Sequence, residues 1–286
     1  MNVGRYSYIF FLVPFFSLFM LFIVVPVAYT FGLSLFDAPP SAASLFTNYI
    51  GFNQYLRVLR DGVFWQGYEN MLYFTLLWLP LMLILSILIA LFLDSRRGKI
   101  GALGKVVVFL PYGVPTVIGT LMWGYMFTPG GVVHDLLVFF GLPSNILAPQ
   151  YILYAMLLII VWEWTGYNTV ILLAGLGSIP SPLYEAAKID GASSWQVTRF
   201  IKLPMLRKYL VFISMLTIIG DQLLFNEPFI LSNLSSVSFG FTPNLYVYHV
   251  TYFLEEFNYS SAVAFVLILV SLIVAVIGIR YFRSES

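Results

Sequence analysis

Two acidic residues stand in stretches that otherwise hold almost no charge. Glu163 lies among Trp162, Trp164, Tyr167 and Asn168, and Asp221 is followed by Gln222 and Asn226. On a helix, Glu163 and Tyr167 share one face, and Trp164 and Asn168 share the neighbouring one. Carboxylates and amides exchange hydrogen bonds with hydroxyls, and aromatic rings offer flat apolar surfaces to sugar C–H faces. An ionised carboxylate at mid-bilayer costs roughly 2.5–3.5 kcal/mol, so such groups usually face a cavity. Glu163, Tyr167, Asn168, Asp221, Gln222 and Asn226 are therefore the candidate lining of a pathway for a polar solute. The blander reading of Glu163 is a hydrogen bond to a helix of a neighbouring subunit. Glu227 reads as an outer-interface residue, where charge costs little. On a regular helix it falls on a different face from Asp221, so the two would not line one channel. No Lys or Arg accompanies Glu163 or Asp221 in these stretches, which favours a neutral solute over a strongly anionic one.

Other chemistries find little support. The chain has no cysteine, and His134 and His249 lie far apart without ligand-spaced partners. No Gly-x-x-x-x-Gly-Lys-Ser/Thr run cradles phosphates, so any ATP hydrolysis must occur in another molecule. A membrane-embedded enzyme using Glu163 and Asp221 as acid and base would lack a nucleophile–histidine pair and a metal cluster. The net charge of +1 gives no reason to expect nucleic acid.

The elements that must position these residues are set by hydropathy. Of 286 residues, 60% are hydrophobic and 9% charged, which excludes a water-soluble enzyme. Crossing a hydrocarbon core takes about 20 helical residues. Candidate spans are residues 8–35, 70–93, 106–127, 151–175, 209–231 and 261–281, an all-α, six-span membrane protein read as one domain over 1–286. The first apolar run is too long for a secretory signal, so it reads as a retained span. Pro14, Pro26, Pro80, Pro111 and Pro115 should bend their spans. Twelve of the fourteen Lys and Arg, including Arg5, Arg96, Arg97, Lys188, Arg207 and Arg280, fall on one side of this arrangement. Only Arg57 and Arg60 fall on the other, so both termini should be cytoplasmic.

Two loops carry structure of their own. After the helix stop at Asp37-Ala38-Pro39-Pro40, Phe52, Tyr55, Leu56 and Leu59 recur at helical spacing, predicting a short amphipathic helix at the outer interface. That helix is an anchor or part of a docking surface. Between spans four and five, the loop 179–206 should hold two short helices. Ser181-Pro182 would cap the first, Gly191 would end it, and Ser193 with Gln196 would form a capping box for the second. Pro204 should then break the second helix before span five. Helices this short need something packed on them. A stand-alone channel or secondary carrier would leave this elbow without a purpose.

The loop resembles the cytoplasmic coupling motif of ABC importer permeases. Glu185-Ala186-Ala187 is followed by Asp190-Gly191-Ala192 and by Leu203-Pro204, at that family's spacing. Residues 50–55 and 175–180 also resemble the carbohydrate-importer branch, the maltose and glycerol-phosphate type, so the resemblance runs from about residue 8 to the C-terminus. The run from Leu231 to Ser238 departs from the glycine-rich stretch common in sugar permeases. The resemblance implies a type I importer permease in a bacterial or archaeal cytoplasmic membrane. It further implies a second, similar permease and a cytoplasmic ATPase dimer that binds ATP and Mg. An external binding protein would deliver a carbohydrate or polyol. The chain itself would hold no cofactor, and Glu185, Ala186, Ala187, Asp190, Gly191, Ala192 and Pro204 would couple it to the ATPase.

Overall fold

A computed structural model describes residues 7–38, 44–96 and 98–285. Arg5, Pro39, Pro40 and Arg97 lie outside the described residues. Among the described residues the regular structure is helical apart from a two-stranded antiparallel ribbon, β1 (Phe36–Asp37) and β2 (Asn48–Tyr49), which pairs Phe36 with Tyr49 and Asp37 with Asn48. Sequence periodicity gave no warning of this ribbon, because each strand is only two residues long.

Among the described residues, five helices are long and apolar enough to cross a membrane: Leu12–Ser34, Gly62–Asp94, Ile152–Gly177, Ser194–Asp221 and Phe257–Arg280. A sixth crossing exists only as a bent pair, Gly101–Gly113 with Thr116–Phe139, turned by 92°. The third span is therefore not one helix over 106–127. Pro111 opens a short 3-10 turn (Leu110–Gly113), and Val114 and Pro115 are extended before the chain restarts at Thr116.

The first span is α1 (Ser7–Phe19) and α2 (Val25–Ser34), joined by a π-helical turn at Met20–Val24 just before Pro26. The external helix is α3 (Asn53–Arg60), and α4 (Gly62–Asp94) continues for 33 residues. Pro80 lies inside α4 and does not interrupt it, contrary to expectation. The bent pair comprises α5 (Gly98–Phe109), α6 (Thr116–Phe127) and α7 (Val132–Phe139). Next come α8 (Ile152–Gly177), α9 (Ser181–Ile189), α10 (Ser194–Val197) and α11 (Leu203–Asp221). The chain closes with α12 (Asn226–Ser232), α13 (Pro243–Tyr252) and α14 (Phe257–Glu285).

Span five also departs from the expected 209–231. Its helix ends at Asp221, and α12 begins afresh at Asn226. Pro228 explains the break. In a continuous helix its ring would collide with the Leu224 carbonyl, four residues earlier.

The chain packs as two compact units, one of residues up to Trp65 with Tyr246–Val270, the other of Gln66–Leu245 with the C-terminal stretch from Ser271. In the first, Asp61 is a polar hub. It accepts hydrogen bonds from Tyr246 Oη at 2.5 Å, from Tyr259 Oη, and from the Val63 N–H at 2.9 Å. Arg57 pairs with Glu256 at 2.5 Å and lies 3.7 Å over the Tyr259 ring. On α3 the buried residues are Gln54 and Val58, while Phe52, Leu56 and Leu59 are exposed. The amphipathic helix is present, but of its predicted apolar stripe only Tyr55 is half-buried, while Phe52, Leu56 and Leu59 are uncovered.

The second unit is built around α8, whose buried side chains include Met156, Ile159, Glu163, Asn168, Leu172 and Leu176. Gly166 makes this possible: a Cβ there would strike the Val108 carbonyl of α5. Ser86 of α4 donates to the Thr165 carbonyl at 3.2 Å, joining α4 to the same face.

Candidate functional site

The breaks in spans three and five converge on one cavity within the second unit. Its volume is about 380 Å³, and it is lined by Trp78 of α4, Thr116 of α6, Ile160, Trp164, Tyr167 and Asn168 of α8, and residues 216–227 in part. The 92° bend places Thr116 at the start of α6, where its hydroxyl donates to Glu163 Oε1 at 2.5 Å. Glu163 thus sits against the cavity wall behind Thr116, buried at 5% exposure. The break after Asp221 lets Asp221, Asn226 and Glu227 all line the same space. This overturns the expectation that Asp221 and Glu227 face different ways, which held only for an unbroken helix. Glu227 is also buried, so it does not sit at an open interface.

Asp221 is held from α4. Thr75 Oγ1 donates to its Oδ2 at 2.6 Å, and Trp78 Nε1 donates to the same oxygen at 3.1 Å. Among the described residues, no Lys, Arg or His lines the cavity. Tyr167 stacks on Tyr112 of the 3-10 turn, with ring centroids 4.6 Å apart and planes 25° apart. Trp164 meets both rings edge-on, 5.4 Å from Tyr112 and 5.9 Å from Tyr167. Asn168 donates to the Trp164 carbonyl at 3.0 Å. Trp162 turns away from this cluster and packs on Gly119 and Trp123. Gln222 does not line the cavity; its carbonyl accepts from Asn244 Nδ2 at 2.9 Å.

Sequence reasoning missed Thr75, Trp78, Thr116 and Tyr112. A usable signal existed for the first pair, since a hydroxyl and an indole N–H one turn apart in an apolar span need an acceptor.

The second candidate site is the elbow. Helix α9 ends in a Schellman motif: the Gly191 N–H bonds the Lys188 carbonyl at 3.2 Å and the Ala192 N–H bonds the Ala187 carbonyl at 2.9 Å. Gly191 has φ +72°, a left-handed conformation that glycine adopts without cost. The Ser193–Gln196 capping box forms as expected, with reciprocal bonds of 2.7 and 3.3 Å. Two local expectations fail. Ser181 is the first residue of α9 and makes no side-chain cap, the preceding Pro180 holding the extended cap position. Pro204 does not break the second helix. A π-helical turn at Thr198–Lys202 widens the backbone just before it, and the helix runs on from Ser194 to Asp221.

The elbow is tied to the bundle. Lys202 Nζ pairs with Asp94 Oδ2 at 2.6 Å and lies 5.8 Å from the centroid of the Tyr184 ring. Burial, with the nearby Asp94 charge, raises the Tyr184 phenol above its ordinary pKa. Glu185, Ala186, Asp190 and Gly191 are exposed, Ala187 and Ala192 half-buried, and Pro204 exposed. Around them Ile189, Trp195 and Phe200 are 86%, 65% and 69% exposed.

Residues 64–283 match the family described as binding-protein-dependent transport system inner membrane component. The chain belongs to that family. Among similar permeases of this family, the lactose transport system permease protein LacF of Rhizobium radiobacter is 29% identical, over 91% of this chain and 88% of its own. The trehalose/maltose transport system permease protein MalF of Thermococcus litoralis is 33% identical, over 77% of this chain and 75% of its own. The fold matches that of a chain in the crystal structure of a bacterial ABC transporter involved in import of the acidic polysaccharide alginate. That match has a TM-score of 0.84 at 20% identity, covering 99% of this chain and 97% of the other. This permease-family chain is thus a multi-pass membrane transport component with the importer permease fold.

Proposed function

We propose that this chain is the sugar-translocating permease subunit of an ATP-driven importer. In this reading it lies in a bacterial or archaeal inner membrane with both termini cytoplasmic. It pairs with a second, related permease and receives a carbohydrate or polyol from an external binding protein. The segment from Glu185 to Ala192 seats in a cytoplasmic ATPase dimer, which holds the ATP and Mg, and Pro204 lies in the helix that carries the motion inward.

The observation that carries this reading is the elbow itself: a fully capped turn at Gly191, tied to the bundle through Lys202 and Asp94, that presents Ile189, Trp195 and Phe200 uncovered. Exposed apolar side chains on a rigid element mark a surface for a protein partner. The sugars named for relatives that transport lactose, trehalose or maltose, and arabinooligosaccharides support the solute class. Asp221, Glu227 and the aromatic cluster suit a hydroxyl-rich, uncharged solute, with Glu163 bracing Thr116 at the wall and Asn168 and Asn226 offering amides.

The test is gentle solubilisation followed by affinity purification and uptake measurements with neutral mono- and disaccharides and polyols. Recovery of an ABC ATPase and ATP-dependent uptake of one of these solutes are expected. A chain that purifies without an ATPase and transports in its absence overturns the proposal.

A further inference from the structure

A second concavity in the same unit has the opposite chemistry. It is a groove of about 530 Å³ between α11 and the last turns of α14, lined by aliphatic side chains that include Leu210, Met215, Ile218 and Ile277. Its floor is set by Gly278, where a Cβ would lie 2.8 Å from Met215 Cγ. The hydroxyl proton of Ser214 is spent on the Leu210 carbonyl at 2.8 Å, so among the described residues the aliphatic walls offer a ligand no free hydroxyl donor. At one end stands Arg207, the charged residue of the lining, with Lys208 beside it in sequence.

The groove runs along α11 from Arg207 to Ile219, about 18 Å at 1.5 Å per residue. That is close to one leaflet, half of a hydrocarbon core of about 30 Å. A cation at one end of an aliphatic trough one leaflet deep matches a lipid, with its phosphate at the mouth and one acyl chain along the floor. We infer that this groove binds an anionic phospholipid from the leaflet at the Arg207 end. The phosphate pairs with the guanidinium, and a chain fills the space between α11 and α14.

The test uses the intact transporter in nanodiscs of phosphatidylcholine doped with phosphatidylglycerol that carries a diazirine in its acyl chain. After illumination, peptide mass spectrometry should find adducts concentrated in residues 207–219 and 271–280. Unlabelled phosphatidylglycerol should compete and phosphatidylcholine should not. Arg207→Gln should cut labelling about fivefold, the effect of one basic residue at a membrane surface. Val211→Phe, which keeps the charge and fills the groove, should cut it as well, separating occupancy from folding. Adducts spread evenly over all lipid-facing spans, or labelling unchanged in both variants, overturn the inference. So does a crosslink from Ile218→Cys to the second permease, which would show a protein helix in the groove.

Discussion

The Thr116 hydroxyl reaches Glu163 Oε1 at 2.5 Å because the third span is bent through 92° between Gly113 and Thr116. A straight span would carry Thr116 along its own axis. The bend points the first turn of α6 at α8, so a backbone defect supplies a partner for a buried carboxyl group.

Thr116→Val keeps the shape and removes the donor. It should destabilise the protein by about 1–3 kcal/mol, the cost of a buried polar group left without a partner. Thr116→Ser should recover most of that loss. Thermal unfolding of the purified protein in detergent, compared across the three proteins, checks this; equal stability of the valine and serine variants would show the hydroxyl to be idle.

Asp221→Asn keeps the size of the side chain and removes its charge, while Thr75 and Trp78, which both donate to Oδ2, can still donate to an amide oxygen placed there. Solute affinity or selectivity should change several-fold with ATPase association intact. Uptake kinetics over a sugar panel, with co-purification alongside, provide the readout. Unaltered kinetics with every solute would remove Asp221 from the pathway.

At Gly191 a Cβ would meet nothing within 4 Å, yet φ is +72°. A valine there therefore suffers backbone strain of about 1–2 kcal/mol without a clash. Gly191→Val should leave insertion and abundance near normal and abolish coupled uptake, whereas Gly191→Asn should be milder. Quantitative immunoblotting beside uptake separates this outcome from simple loss of the protein.

Asp61 gives a pH dependence. Burial alone would raise its pKa, but hydrogen bonds from Tyr246, Tyr259 and the backbone N–H groups of Phe64 and Val63 outweigh it and hold the carboxyl below its ordinary value of 3.8. A group depressed on folding stabilises above its unfolded pKa and loses that contribution as pH falls through the folded one. The parent should therefore lose stability below about pH 4 more steeply than Asp61→Asn. Parallel unfolding curves from pH 6 to 3 test this, and coincident slopes would contradict it.

Much of the elbow was legible because its determinants are local. Gly191 allows the left-handed turn, and Ser193 and Gln196 lie three residues apart, so neither feature needs distant packing. The cavity was only half legible. Glu163, Tyr167, Asn168, Asp221 and Asn226 stood out as polar or aromatic groups in apolar sequence. Their neighbours depended on where helices stop: Pro111 and Pro115 announced a bend in span three but not its 92° size, and Pro228 was not read as a break at all. Treating span five as regular put Glu227 on the wrong face. Pro204 misled in the opposite sense, because a π-helical turn absorbed it. On α3, hydropathy located the amphipathic stripe but not which side would be covered, since that depends on Asp37, which accepts from Gln54 Nε2 at 3.2 Å.

The uninterrupted helix from Ser194 to Asp221 has a mechanical corollary. Twenty-eight residues make a rod of about 42 Å. One end carries Trp195, beside the elbow; the other carries a carboxylate in the cavity wall. If the near end is held and the rod pivots by ten degrees, its tip sweeps about 7 Å, more than a full turn's rise. On the proposed function, leverage of that size would turn a small rotation at the cytoplasmic face into a displacement wide enough to open or shut a passage for a sugar ring.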